Sequence, residues 1–438
     1  MHYRCDVGKQ AYIERITELA QPGRLRYELE RAFGGAVPRD VVVGLRCGSR
    51  TVCAASAADL PRAPIRVGCI AKLLTAMLAR RAFETHRLAP DEHVSDLLSA
   101  GAARGALRGI TVRQLLEHTH GLDDSMLSAA PRDLLGRIDV EALARELRAA
   151  PSLATPGALY SYGNAGACMV AALLERVGSR PYAAQLAEAL ESRGIGVVAS
   201  AEAICPATGG ELALDPAALL DLVAQATFVA PDVWPDDDCA GDYGFATRLP
   251  GWNPLERGIY LGWKYHGAGW FGHQSVWPGH SVLVRAHPRR RHALVAAGND
   301  HSAAVLAARV FGAYLPELFE LKTPARSMTT PELPVGTFGS AAWCVHIREV
   351  GGELELRARR NDDSVEWSAA LRALAPGLWL TRPVLSAFPH VELVQTPRAY
   401  LWNGRFVLPR SRGEHLDHHL NDREARSRNA LAHHLARI

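Results

Sequence analysis

The sequence contains no pair of cysteines in CxxC spacing. Its eight cysteines (Cys5, Cys47, Cys53, Cys69, Cys168, Cys205, Cys239 and Cys344) are scattered singly along 438 residues. Such scatter reads as free thiols in a reducing compartment and argues against a secreted disulfide framework. A run of about 18 apolar residues is also missing, so no membrane span is expected. The opening stretch, MHYRCDVGKQAYIERITELAQ, lacks the apolar segment of a signal peptide, and Asp6 and Glu14 interrupt it. A cytoplasmic location is therefore expected. Strong charge of either sign is lacking too: the net charge of +3 gives no electrostatic reason for a nucleic-acid partner. Histidines cluster late in the chain (His415, His418, His419, His433, His434), and His118 and His120 lie further in, but no Cys/His spacing matches a zinc site. Neither a metal nor another cofactor is expected.

What the chain does have is an ordinary globular composition, with 48% hydrophobic and 22% charged residues. A chain of this size can bury a sizeable core without disulfides or metals, and its length suggests two domains. Residues 24–34 read as a helix, and VVVGLRCG (41–48) and RTVCAASA (50–57) as a strand pair joined near Gly48-Ser49. In CIAKLLTAMLARRAFE (69–84) the apolar residues at 70, 73, 74, 77 and 78 have helical spacing. From about 110 to 230 the chain is Ala/Leu-rich and mostly helical, with turn signals at 131–133, 155–157 and 178–180. Strands are expected over 280–288 and 292–299, and a helix over 303–315. The Pro-rich segment 321–336 reads as a linker. Short strand-like runs follow, giving a division into 1–325, a β-rich 334–410 and a charged, histidine-rich tail at 411–438.

Three short motifs carry the chemistry. Cys69-Ile70-Ala71-Lys72 opens a helix, where residues i and i+3 share a face, so Lys72 lies beside the Cys69 sulfur. The positive end of the helix favours a thiolate there. Tyr162-Gly163-Asn164 follows Pro156 in TPGALYSYGN, and a tyrosine sharing a proton with lysine can act as acid or base. Gly272-His273-Gln274-Ser275 precedes VWPGHSVLV, where a strand edge could offer the Val276 N–H as half of an oxyanion hole, the Cys69 N–H being the other half. Taken singly, each has a bland structural reading: a chance CxxK, a turn with a packed aromatic, a structural histidine. Jointly they are far more specific.

In this order the motifs resemble the SxxK, YxN and KTG-or-HxG motifs of the class C β-lactamase, D-alanyl carboxypeptidase and esterase family. The flanks agree: ITVRQLLEHTHGL (110–122), PGALYSYGNAGACMVAALLERVG (156–178) and GHQSVWPGHSVLV (272–284) follow the family's corresponding segments. The resemblance covers residues 24–315. It implies an α+β fold, with an antiparallel sheet flanked by helices, a helical lobe and the site between them, and it fits a small C-terminal lipocalin-like barrel. It also implies catalytic roles for Cys69, Lys72, Tyr162 and His273, and substrate contacts from Asn164, Gln274, Ser275 and Val276. Trp270, with Trp263 and Tyr265, is read as lining the acyl pocket, with core or rim packing as the equal alternative. Three positions depart from the family pattern: Cys69 stands for serine, Ser275 for the third-motif glycine, and His120 for the serine of "HtSG".

Sulfur changes the chemistry. Reference pKa values of about 8.5 for cysteine and about 10.4 for lysine place the shared proton on lysine. Thiolate is a better leaving group than an amine, so attack on an amide tends to collapse backwards, whereas esters and thioesters compete on fairer terms. The expected activity is transfer of an acyl group from an ester or thioester donor (free, or bound to a carrier protein) through a Cys69 thioester to an amine or alcohol, of the kind used in natural-product and antibiotic biosynthesis. Two rivals stand beside it: a cysteine hydrolase (esterase, thioesterase or peptidase), and an inactive binding protein in which Cys69 is a small buried residue. Retention of Lys72, Tyr162 and Asn164 argues against the latter.

Overall fold

β-Branched residues in VVVGLRC and RTVCAA, parted by Gly48-Ser49, form the hairpin of β1 (Val41–Cys47) and β2 (Arg50–Ala55). Gly48 takes φ +59°, a conformation that glycine adopts without steric cost. The computed structural model describes residues 14–21, 23–38, 40–56, 64–98, 107–123, 138–149, 152–196, 204–228, 234, 258–277, 280–299, 302–319, 334–340, 342–361, 366–375, 378–382, 390–394, 400–402 and 407–410. The turn signal at 131–133, most of the Pro-rich segment 321–336 and the tail 411–438 lie outside them. The chain divides into two compact units, one drawn from residues 1–323 and one chiefly from 324–438.

The first unit is built on a seven-stranded antiparallel sheet. A small pair, β3 (Ile65–Arg66) with β4 (Ala213–Leu214), lies apart from it. The main strands are β1, β2, β5 (Gly258–Tyr260), β6 (Trp263–Gly267), β7 (Trp270–Trp277), β8 (His280–His287) and β9 (His292–Gly298), in the order β2-β1-β9-β8-β7-β6-β5. Alternation along each strand sends side chains to two different cores. Phe271, Val282, Val284 and Val295 join the helical lobe, while Trp270, Leu283, Leu294 and Ala296 join α1 (Arg24–Ala32) and the late helix Ala303–Phe311.

The lobe consists chiefly of α2 (Ala71–Glu84), α3 (Val94–Leu97), α4 (Val112–Leu116), α5 (Val140–Ala149), α6 (Ala165–Gly178) and α7 (Tyr182–Glu191). Helix α8 (Pro216–Phe228) packs on the sheet, where Gly44 of β1 leaves room: a Cβ there would meet Leu220 at 2.8 Å. In α6, residues 165–175 are all buried, so this is the central helix. Its Glu175 carboxylate accepts the N–H groups of Ile138 (2.8 Å) and Tyr182 (2.7 Å), fixing the starts of two neighbouring segments. α4 is fixed by a reciprocal capping box between Thr111 and Gln114.

In the second unit β10 (Gly336–Gly339), β11 (Trp343–Val350), β12 (Glu353–Arg360), β13 (Glu366–Ala375), β14 (Leu378–Arg382), β15 (His390–Val394), β16 (Tyr400–Trp402) and β17 (Val407–Pro409) pair in sequence order, all antiparallel. A bridge between Phe338 and Arg410 joins the first strand to the end of the last, so the meander closes into a barrel. Phe338, Val345, Ile347, Leu356, Val391, Leu393, Leu401 and Leu408 fill it. The fold is thus α+β with the sheet, flanking helices, helical lobe and C-terminal β-rich region expected from the motifs.

Gly166 sets how closely α6 approaches α4, because a Cβ there would lie 2.1 Å from the Leu115 carbonyl oxygen. Gly166→Ala is expected to destabilise the first unit by about 1–3 kcal/mol through overpacking. Chemical denaturation of the two proteins checks this, and an unchanged midpoint would show that the helices separate freely.

Candidate active site

The site begins where β3 ends. Cys69 sits, half-buried, in a single 3₁₀ turn (Gly68–Ile70) that runs into α2, not in the first α-helical turn itself. Gly68 has φ +52°, and a Cβ there would overlap the Ser275 Oγ at 2.0 Å, so glycine is what lets this turn meet β7. The Cys69 N–H donates to that Oγ at 3.1 Å. This corrects one expectation: the Cys69 N–H, assigned to an oxyanion hole, is engaged by the hydroxyl that stands where the family has glycine.

One turn on, Lys72 is only 3% exposed. Its Nζ donates to Asn164 Oδ1 (2.9 Å) and to the Ala207 carbonyl (2.8 Å), and lies 4.6 Å from the centre of the Tyr162 ring. A second ammonium, Lys264 of β6, lies 4.7 Å from the same ring centre. Tyr162 is therefore flanked by two cations, an arrangement its π-face favours. His118, itself at φ +56°, packs against Tyr162 with ring centres 4.7 Å apart; its Nδ1 accepts the Gly163 N–H (3.4 Å) and its carbonyl accepts the Ser161 N–H (2.9 Å). The turn carrying Tyr162 and Asn164 is thus held from behind by His118.

The third side is β7. Its register with β6 ends at Gly272, so His273 to Trp277 have no β6 partner and form an edge beside the Cys69 turn. His273 is buried, with its ring centre 5.7 Å from that of Tyr162. Its Nδ1 is 2.9 Å from the Gln274 N–H that donates to it, and Nε2 has no hydrogen-bond partner among the described residues. Burial first, then the charges of Lys264 and Lys72, hold the His273 imidazole well below its ordinary pKa, and burial with Lys72, His120 and Lys264 does the same to His118. Both rings are neutral bases near pH 7. Behind the edge, buried Arg285 donates to the carbonyls of His273 and Val284 (both 2.8 Å) and to Gln274 Oε1 (3.4 Å), which pins the motif's backbone. Val276, at the exposed end of the motif, is 52% accessible.

Trp270 is a second correction. It is fully buried in the core on the α1 side, against His287, because alternation along β7 turns it away from the face that Phe271 occupies. Trp263 and Tyr265 are likewise core residues, packed with Trp234 and Phe271. Sequence reasoning missed Lys264, Arg285 and the Ala207 carbonyl, and gave His118 no part. For Cys205, on the loop that carries Ala207, a hydrogen bond with the Cys168 thiol lowers the pKa to about 5, against burial, which raises it. By contrast burial pushes Cys47 and Cys53 up to about 12. Among the described residues no side-chain group is arranged to hold a metal ion, and no helix is long and apolar enough to cross a membrane.

A helical lobe set against an antiparallel sheet, with a nucleophile turn, a Tyr-x-Asn turn and a histidine-bearing strand edge converging, defines a β-lactamase/transpeptidase-like protein. Residues 37–194 match the family model described as Beta-lactamase. Among solved structures it is similar to SurE with D-Leu (22% identity, TM-score 0.64) and to SurE alone (21%, 0.65), each alignment covering 88% of this chain and 98% of the other. It is also similar to the D-amino acid amidase from Ochrobactrum anthropi SV3 complexed with L-phenylalanine (15%, 0.51; 66% and 96% covered). These likenesses establish the fold. No curated protein matches the sequence.

One buried acid near the site gives a testable pH dependence. Glu117, next to His118, accepts the Leu261 N–H at 3.2 Å, and burial raises its pKa to about 7, against the opposing pull of that bond and Arg113. The folded state thus keeps a proton that the unfolded chain releases near 4.5. Its contribution makes stability fall as pH rises from about 4.5 to about 7, then level off. Denaturation midpoints at pH 5 and pH 8 should differ less in Glu117→Gln than in wild type. Equal differences would show that Glu117 titrates normally.

Proposed function

We propose that this chain is a cysteine-nucleophile acyltransferase: Cys69 takes an acyl group from an ester or thioester donor and passes it to an amine or alcohol. One convergence carries the reading. Lys72, Tyr162, Asn164 and His273, drawn from three separate parts of the chain, form one connected cluster; Lys72 follows the half-exposed Cys69 by three residues, and the Cys69 N–H meets Ser275 on the strand of His273. A cleft that merely binds has no chemical need for a lysine, a phenol and a neutral imidazole around a thiol.

In the first half-reaction the Cys69 thiolate adds to the donor's carbonyl carbon. A C–S bond forms, the donor's C–O or C–S bond breaks, and the leaving group departs with the phenol proton of Tyr162. In the second, the acceptor adds to the Cys69 thioester while Tyr162 takes the proton it loses, and Cys69 leaves as thiolate. The ammonium groups of Lys72 and Lys264, 4.6 and 4.7 Å from the ring centre, stabilise by charge the phenolate formed transiently at Tyr162. Asn164, fixed by Lys72, orients the donor. His273 offers Nε2 as the proton carrier at the strand edge, supported by its neutral resting state. SurE has been seen with D-Leu, and the amidase of similar fold is named for D-amino acids. Amino-acyl donors of either configuration are therefore the class to try first.

Intact-mass spectrometry with D- and L-aminoacyl esters and thioesters tests the proposal. A covalent adduct should form on wild type and vanish in Cys69→Ala, with peptide mapping to separate it from labelling at Cys205. Added amine should discharge it faster than buffer does. An adduct that survives Cys69→Ala removes this residue from the mechanism, and equal discharge with and without amine assigns hydrolysis instead. Cys69→Ser should lose most activity, because a hydroxyl needs a free base and Lys72 Nζ donates to Asn164 Oδ1 and to the Ala207 carbonyl.

A further inference from the structure

Ser275 is the residue that most sets this site apart from its family pattern, and its placement is constrained on every side. It is 1% exposed and held in the register of β7 with β8 opposite Val282. Its Oγ lies against the Gly68 Cα, at a spot where even a methyl group on Gly68 would overlap it, and accepts the Cys69 N–H at 3.1 Å. The donor beside the nucleophile's own backbone nitrogen is thus already bonded, and what stands in front of it is a hydroxyl.

We infer that the Ser275 hydroxyl is a catalytic residue, donating its O–H to the oxyanion formed on the acyl group at Cys69 in place of the Cys69 N–H. The inference rests on the reading of Cys69 as the acyl acceptor. A hydroxyl has one proton to donate and two lone pairs to accept with. Here one lone pair takes the Cys69 N–H, so the proton stays available, and the incoming N–H polarises it. An acyl carbon bonded to the Cys69 sulfur is attached to the same residue as that N–H. Its oxygen must look for a donor in the neighbourhood the Oγ occupies. When sulfur adds, the carbonyl π electrons move onto oxygen, and the O–H···O⁻ bond shortens and strengthens as charge develops. No proton is transferred: when the intermediate collapses, the electron pair re-forms the carbonyl, the leaving group departs and the hydroxyl relaxes. The substitution of glycine by serine thereby replaces a backbone donor with a side-chain one and does not simply block the hole.

The test compares single-turnover acylation of wild type, Ser275→Ala and Ser275→Gly by a thioester donor, read as Cys69 adduct by rapid-quench mass spectrometry. Alkylation of Cys69 by iodoacetamide is run in parallel. Alkylation displaces iodide at a saturated carbon and develops no oxyanion, so it reports only whether Cys69 remains accessible and nucleophilic. Acylation is expected to fall about a hundredfold or more in both variants, the usual effect of losing one oxyanion donor, with alkylation little changed. Acylation as fast as or faster than wild type in Ser275→Gly would overturn the inference, since the hydroxyl would then be an obstacle. A parallel fall in alkylation would also overturn it, by making Ser275 a structural prop. Absence of any adduct on wild type with any donor would instead sink the reading of Cys69 itself, and the inference with it.

Discussion

The site depends on one close approach: the turn at Gly68-Cys69 lies directly against the unpaired edge of β7. Only a residue without Cβ, at a positive φ, permits it. That approach brings Cys69, attached to the helical lobe, against groups attached to the sheet. It also explains why β7 has a free edge. The strand is paired on the β8 side throughout, but β6 stops opposite Gly272, and the turn takes up the space beyond. Gly272 itself is needed there, since a Cβ would meet the Val284 carbonyl at 2.1 Å. Gly68 thus sets the approach of the turn to β7, and Gly272 that of β7 to β8.

Around that gap, charge is arranged with little screening by water. Two lysines share one phenol ring, while the nearest imidazoles, His118 and His273, stay neutral because burial and those same lysines oppose their protonation. Positive charge is therefore concentrated on the ammonium groups and the imidazoles are left as bases. Such a distribution suits a reaction in which negative charge appears on a carbonyl oxygen and a proton must be moved near pH 7. Arg285 acts at one remove, spending its hydrogen bonds on backbone carbonyls of the edge strand and its neighbour, so that the imidazole on the other side is held still.

Much of this was legible in the sequence wherever spacing alone decides position. Cys69 and Lys72 lie one helical turn apart. The hairpin over 41–55, the strands at 280–287 and 292–298 and the short strands of the barrel follow from local pattern. Lys264 carries no motif, and it meets Tyr162 only because of how the chain folds around β6, which no short window reports. The Ala207 carbonyl is invisible for a simpler reason: every residue has one. Trp270 misled because nearness in sequence to His273 was taken for nearness in space. Adjacent residues on a strand point to opposite faces, and three residues of offset place the indole in the other core. The bond of the Ser275 hydroxyl to the Cys69 N–H was not legible either, because it depends on a contact between residues 206 positions apart.

The exchange of serine for cysteine can now be related to what Lys72 does. A serine nucleophile requires a base strong enough to take a proton from an alcohol, so a lysine in that role must offer a lone pair toward the hydroxyl. Here Nζ donates to Asn164 and to Ala207, tying the Tyr-x-Asn turn and the 204–212 loop to α2. A lysine so occupied is suited to positioning and to supplying positive charge, and less suited to abstracting a difficult proton. A thiol removes the difficulty, since its proton is far easier to lose than that of an alcohol. Sulfur at position 69 and a hydrogen-bonded Lys72 are therefore mutually consistent: the more acidic nucleophile frees the lysine to act as a fixed charge. In the acyltransferase proposed above, the weaker thioester bond favours passing the acyl group onward to a better nucleophile than water, which links the chemistry of one atom to the choice of acceptor.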